Sequence, residues 1–338
     1  YEIGNAGQLY WFAALVNGKL TDGTSQNRNA CAVLVSNITV NKNLLNSLDN
    51  NGYPTGTVTI DSWTPFGDYI SSYYDGLDYL GIFDGNGHSI SGLYCKQPNA
   101  KNISFCGYMT KGTIKNVAII DTYFEGDYNV GGIVGASNES AIKNCLFCGT
   151  VKSNKRVGGI CGAIQGYSTI SDCFSNAQIL VVENANNYCG GICGMGYGQK
   201  IKLRNCVYNN SLYSGQVIKW VEEYENDVTW TGTVEHITGM KTAEIASGKA
   251  THWLNRYHSG DGLGWYQNID NGQTNDAYPV LDNTHGVVYT SQPCPSSGKF
   301  SNNKSSLTEV QHSWGADNVC TQCGKTKDVF DLVTGFQE

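Results

Sequence analysis

The sequence predicts an all-β fold. It reads as a right-handed parallel β-helix, or solenoid, with short capping helices and a small C-terminal zinc-ribbon-like module. The prediction rests on three observations: a glycine phrase that recurs, a second phrase that recurs 28 residues apart, and a periodicity of two inside each unit. The glycine phrase occurs as Val130-Gly-Gly-Ile-Val-Gly135, Val157-Gly-Gly-Ile-Cys-Gly162 and Cys189-Gly-Gly-Ile-Cys-Gly194, with a degenerate copy at Ser104-Phe-Cys-Gly-Tyr108. The second phrase follows each copy and ends on Val117, Cys145, Cys173 and Cys206. In Ile114-Lys-Asn-Val-Ala-Ile-Ile120 and Ile142-Lys-Asn-Cys-Leu-Phe-Cys148, short β-prone runs lie between Gly, Asn and Ser, which is the pattern of strands and turns.

One such unit cannot bury its own apolar face, but stacked units can, and that arrangement is a quasi-one-dimensional solenoid. A coil of 28 residues accommodates about three short strands. The regular Leu phrase of a leucine-rich repeat is absent, and a propeller blade is longer. Coils stack ~4.8 Å apart, so equivalent residues form ladders. Asn116, Asn144, Asp172 and Asn205 should align, as should Val117 with the three cysteines of its series, and Val134 with Cys161 and Cys193. The stacked cysteines should be buried, reduced and unbridged, because in-register side chains point the same way and fit a disulfide torsion poorly.

Composition agrees. Charged residues make up only 15% of the 338-residue chain, and glycine is abundant at 41 residues, as suits a chain of many turns. The net charge of −7 and the lack of a dense basic run argue against nucleic acid as a partner. No apolar run of ~18 residues marks a membrane span. The chain begins at Tyr1 without a secretion signal and ends without a sorting pattern, as expected of a mature protein or a fragment of a larger one.

These phrases together resemble the GLUG repeats of bacterial surface and secreted proteins, including the N-terminal regions of immunoglobulin A-cleaving metallopeptidases. The opening Tyr1-Glu-Ile-Gly-Asn-Ala-Gly-Gln-Leu-Tyr-Trp-Phe12 looks like that group's first segment. Trp63-Thr-Pro-Phe-Gly67 and Phe83-Asp-Gly-Asn-Gly87 look like its first coil, and Lys241 through Asp282 looks like its closing segment. The chain divides into 1–79 as N-terminal cap and entry strands, 80–215 as the repeats, 216–290 as the closing segment and 291–338 as a separate tail module, and the resemblance spans roughly residues 1–290. It implies an extracellular or cell-surface location and no particular activity.

Open coils at either end of a β-helix are sticky edges unless covered. Two helical segments read as covers. One runs from about Gly7 to Val16, with Asn5 as N-cap and Gly18 as stop; the other runs from about Thr242 to Tyr257, with a break at Gly248.

Chemistry is sparse. Glycan hydrolysis needs two carboxylates ~5–9.5 Å apart. The candidates are Asp121, Glu125 and Asp127 at one coil edge, and Asp75, Asp78 and Asp84 near the first coil. Asp84-Gly-Asn-Gly87 with His88 reads as a turn. No His-Glu-x-x-His, Gly-x-Ser-x-Gly or phosphate-loop phrase occurs. His236, His252, His258 and His285 are scattered, and the tyrosines of 69–74 and the aromatics of 220–230 read as strand residues that could also hold sugars or proteins.

The composition changes near residue 290. Cys320-x-x-Cys323 resembles a zinc knuckle, and Cys294 with His312 would complete a structural zinc site. A redox Cys-x-x-Cys and a disulfide remain open alternatives. The functional expectation is a non-catalytic scaffold or adhesion module whose partner is a host or environmental glycan, a protein or another copy of itself. The alternative is a carbohydrate-active parallel β-helix enzyme, either a polysaccharide lyase or a glycoside hydrolase.

Overall fold

The computed structural model describes residues 1–68, 77–181, 188–198, 200–220, 232–258, 262–291, 299–307, 313–316 and 318–321. Among these, the chain winds as a parallel β-solenoid of about eight turns with three strand faces. The first face has eight strands, from Glu2–Ile3 through Thr113–Lys115 and Ala141–Lys143 to Thr233–Glu235, stacked in sequence order. The second face has ten strands, among them the long Tyr94–Ile103 and Ala118–Gly131. The third has five: Cys106–Thr110, Val134–Asn138, Cys161–Gln165, Cys193–Tyr197 and Ile218–Trp220. Pairing along the stack is parallel, and a residue meets its repeat equivalent, as Ile142 meets Ile114 and Ile170.

The corner between the first and second faces depends on left-handed backbone. Asn116, Asn144, Asp172 and Asn205 stand there at φ of 56°, 51°, 55° and 47°. Asn and Asp tolerate this region better than other residues with a side chain. Their amides also link the coils. Nδ2 of Asn116 donates to Asp84 at 3.0 Å, Nδ2 of Asn144 to Asn116 at 3.0 Å, and Nδ2 of Asn205 to Asp172 at 2.7 Å. The expected polar ladder is present and begins one coil earlier, at Asp84.

The glycine phrase makes the corner between the second and third faces, for a reason the sequence alone did not show. None of its glycines sits at positive φ; they are there because of close approach. A Cβ on Gly158 would lie 2.0 Å from the Cys161 carbonyl oxygen, and one on Gly159 would lie 2.4 Å from the Gly191 carbonyl oxygen in the next coil. Real Cβ atoms do not reach such distances, so any side chain would force the coils apart.

The interior is narrow and apolar. Ile114, Ile142, Ile170 and Leu203 fill it from the first face, with Val117, Cys145, Cys173 and Cys206 at the corner and Cys106, Val134, Cys161 and Cys193 from the third face, all buried. Helix α1, Ala6–Val16, enters this core at the first coils. Asn5 caps it by accepting from the Gln8 amide at 3.0 Å, and Phe12 meets the rings of Phe66, Tyr79 and Phe83 at 5.6, 6.2 and 5.8 Å.

The second helical segment differs from its expected role. It divides at Gly248, whose φ is +89°, into α2, Thr242–Ala246, and α3, Lys249–Arg256. Rather than covering the end of the stack, it packs along the flank. Strand alternation turns Ala118, Leu146, Phe174 and Val207 outward while Ile119 and Phe147 face the interior. Ile245, Leu254, Trp265 and Leu281 cover that outward row. Asn205 Nδ2 donates to the Leu254 carbonyl at 2.8 Å, and the segment runs back toward the first coil, where Leu281 lies beside Gly87. An outward apolar row needs a cover as much as an open edge does, and burying each large side chain contributes about 1.5–3 kcal/mol.

The buried thiols set a chemical expectation. Burial pushes Cys106, Cys173, Cys193 and Cys206 well above the usual thiol pKa, and Cys95 up to about 12. A raised folded pKa contributes stability that is complete below the unfolded thiol value of about 8.5 and is lost as pH climbs past it. The urea midpoint should therefore fall between about pH 8 and pH 10. Thiol reagents should leave Cys145, Cys173 and Cys206 unmodified in the folded chain and label them in denaturant without reductant. A Cys145–Cys173 bridge detected by mass spectrometry would contradict this.

Candidate functional site

Of the concave surfaces on the described residues, the one with the most developed chemistry is a groove beside the glycine corner. It holds about 290 Å3 and runs along the solenoid axis between the outward side of the third face and the tail of the second. Its floor is a register row, Tyr108, Ala136, Ala163 and Met195, one residue per coil. Small residues in the middle of that row leave the hollow. The third glycine of each phrase draws the two faces together. A Cβ on Gly135 would stand 2.8 Å from Asn102 Cα, and one on Gly162 would stand 2.6 Å from the Asn129 carbonyl carbon.

The wall is basic and aromatic. Lys101 pairs in register with Tyr128, and Arg156 with Tyr188. The Arg156 guanidinium lies 4.1 Å from the Tyr128 ring centroid, and the amines of Lys101 and Lys155 lie 6.0 and 5.8 Å from it. The Lys219 amine lies 5.0 Å from the Tyr188 ring. Such contacts orient the cations without neutralising them, and the Lys155 amine also lies 4.0 Å from the Asp127 carboxylate. Burial pulls the Arg156 pKa down, and the Tyr128 and Tyr188 hydroxyls oppose the shift; arginine stays charged under any such perturbation. Burial raises the pKa of the Tyr128 hydroxyl.

Amides complete the lining. Gln165 Nε2 donates to the Tyr108 hydroxyl at 2.6 Å. Asn129 donates to Asn102 Oδ1 at 2.9 Å, which leaves the Asn129 Oδ1 buried with no hydrogen-bond partner. Such an acceptor costs free energy until a donor reaches it. No carboxylate is among the residues lining this groove. Asp68 borders the adjoining hollow of about 300 Å3, which shares Lys101 and Asn102. A crevice of about 390 Å3 on the first face, over Lys143, Thr169, Lys202 and Arg204, has no aromatic lining.

The carboxylates singled out from the sequence are spread among structural partners. Asp121 accepts from the Leu44 and Leu45 amides at 2.7 and 3.0 Å, and Asp127 accepts from Asn154 Nδ2 at 3.0 Å. Asp78 pairs with Arg28, and Asp84 with Lys115 at 3.1 Å. Glu125 sits in a row with Lys96 and Lys152, paired to both, and accepts from the Tyr123 hydroxyl at 2.8 Å. The histidines are similarly dispersed: His236 stacks on Tyr257 at 4.0 Å, His252 lies 5.7 Å from the Phe300 ring, and His285 meets Asp276 at 2.7 Å. Asp75, the tyrosines of 69–74 and most of the 220–230 aromatics lie outside the described residues. So do Cys294, His312 and Cys323 of the expected zinc set; Cys320 is described and buried, bridged to Trp314 in antiparallel fashion.

The tyrosines that line the groove went unflagged in the sequence, although a signal existed. Tyr108 stands two residues beyond Cys106, so strand alternation places both on one side of their strand only if the pairing is regular. Cys106 belongs to the interior cluster, whereas Tyr108 packs with Ala136, Ala163 and Met195 on the outward side.

Glu125 carries a testable consequence. Burial pushes its carboxyl up, but hydrogen bonds from Lys96, Tyr123 and Lys152 outweigh that and hold it below the ordinary glutamate value. Its stabilisation is present above the unfolded pKa of about 4.3 and is lost as pH falls through the folded value. Glu125→Gln strands two lysines and should cost about 3–5 kcal/mol at neutral pH. It should also flatten the acid limb of stability measured by urea denaturation across a pH series. An unchanged acid limb would mean that Glu125 is not the linked group.

No protein-family model matches the chain. A segment of 95 residues is 33% identical to halomucin of Haloquadratum walsbyi; it makes up 28% of this chain and 1% of that protein. Among solved structures, the crystal structure of a "putative immunoglobulin A1 protease" from Bacteroides ovatus superposes with a TM-score of 0.39 at 16% identity, covering 83% of this chain and 92% of that one.

Proposed function

We propose that this chain is a non-catalytic scaffold module of the GLUG kind, belonging to an extracellular or cell-surface protein, and that its groove holds an extended glycan or protein segment against the solenoid. The observation that carries the reading is the lining: cations, tyrosine rings and amides, with no carboxylate among them. That set binds and orients a ligand. Glycoside hydrolysis needs a carboxylate pair ~5–9.5 Å apart. A lyase needs a base whose pKa lies near the working pH, whereas burial moves the Tyr128 hydroxyl the other way. The partial match to 1% of halomucin suits a module within a much longer chain.

The test has two arms. The purified chain should produce no reducing ends and no ultraviolet-absorbing unsaturated product from pectins or mucin glycans, and should leave immunoglobulin A intact. In a screen of immobilised glycans and proteins it should bind at least one ligand, and Arg156→Ala should weaken that binding. Turnover abolished by Tyr128→Phe would replace the scaffold reading with the lyase alternative.

The tail supports a separate proposal. Cys294, His312, Cys320 and Cys323 would supply three thiolates and one imidazole, a closed tetrahedral set for structural zinc. The burial of Cys320 within so polar a segment favours a staple of this kind. Metal analysis should give about one zinc per chain. The double change Cys320→Ser and Cys323→Ser should release the zinc and expose the tail to protease, leaving the solenoid intact. A Cys320–Cys323 disulfide, or reduced protein that takes up no zinc, would refute it.

A further inference from the structure

The groove's charges are arranged as well as concentrated. Five successive coils contribute Lys101, Tyr128, Arg156, Tyr188 and Lys219 in turn, so cation and tyrosine alternate: Lys101 is in register with Tyr128, Arg156 lies one residue on from that row and in register with Tyr188, and Lys219 reaches in from the third face, where it pairs with Met195. Rungs stack about 4.8 Å apart, so like groups recur about every 9.6 Å. Each tyrosine ring is flanked by a cation, Arg156 at 4.1 Å from Tyr128 and Lys219 at 5.0 Å from Tyr188.

We propose that the groove binds a linear acidic polysaccharide, one bearing carboxylate or sulfate groups on alternate sugars, laid parallel to the solenoid axis. This rests on the binding-module reading above and specifies its ligand. An extended disaccharide is close in length to two rungs, so a polymer charged once per disaccharide meets a cation at every second coil, with sugar faces over Tyr128 and Tyr188. The cations satisfy the acidic groups by charge-assisted hydrogen bonds, and arginine offers its planar fork to a carboxylate or sulfate. Nucleic acid fits less well. Its phosphates recur every ~3.4 Å of axis along a duplex strand, well below the spacing of the cations.

The experiment uses the whole chain and measures binding by calorimetry to hyaluronate, which carries a carboxylate on every second sugar, to polygalacturonate, which carries one on every sugar, to neutral dextran and to an oligothymidylate. Hyaluronate should bind and dextran should not, with affinity falling as salt rises. Arg156→Ala and Tyr128→Ala should each weaken binding about tenfold or more, through loss of a charge-assisted contact and of a stacking face. Tyr128→Phe keeps the ring and should stay within about threefold of the parent if stacking is the tyrosine's role. Lys143→Ala, in the first-face crevice, should change nothing, and circular dichroism melts should show every variant folded. Equal binding of dextran, tighter binding of oligothymidylate, or acidic-polymer binding indifferent to Arg156 would each overturn the proposal. If neutral glycans or proteins bind in an Arg156-dependent way, the scaffold reading stands and only the acidic ligand fails. If nothing binds the groove, both fail.

Discussion

Parallel stacking of near-identical coils, one strand spacing apart, is the constraint from which the rest of the structure follows. Strand amides find their partners in the neighbouring coil, so whatever occupies one position of the repeat is placed against its equivalent above and below. A mismatch at one rung is therefore felt by two others, and the corners, where the chain must turn without breaking the stack, become the most restricted positions. Asn116, Asn144, Asp172 and Asn205 meet that restriction by taking left-handed backbone while handing a side-chain hydrogen bond to the next coil. The glycines of the other corner meet it by having no side chain where carbonyls of the same and the next coil approach.

The same repetition that closes the interior creates a problem outside. Leu146 and Phe174 are as apolar as the residues that fill the core, yet alternation turns them away from it. The segment that follows the last coil resolves this by folding back along the flank. Trp265 and Tyr278 lie 6.5 and 6.3 Å from the Phe174 ring, and Asn209 bonds to Thr242 at 3.1 Å where the strap departs. Among the described residues the two larger apolar compartments are a narrow one within the coils, plugged by α1, and a lateral one sealed by α2, α3 and the chain beyond them.

The groove is a product of the glycine corner. The close approach that excludes a Cβ at Gly135 and Gly162 brings the third face against the tail of the second, and the small Ala136 and Ala163 leave space above the contact. A solenoid repeats its surface as faithfully as its core. A binding surface built on it is consequently linear, with functional groups at multiples of the coil spacing, and it matches polymers better than small molecules.

The sequence by itself determined the solenoid. A 28-residue period with alternation inside each unit admits stacked coils and little else, and the two phrases named the ladders down to the residue, since register in a parallel stack is carried by repetition. It also marked α1 and the break at Gly248, because caps and left-handed glycines are local features. Tertiary structure decided what lay beyond the repeat. The amphipathic segment after residue 241 announced that it would cover something apolar, but only the outward turn of Leu146 and Phe174 made that a flank rather than an end. The glycine phrase marked the repeat, but close packing between coils was its cause, and packing distances are not written in composition. The groove was illegible for the same reason. Lys101, Tyr128, Arg156, Tyr188 and Lys219 are separated by 27 to 32 residues along the chain, and nothing short of stacking puts them in one line.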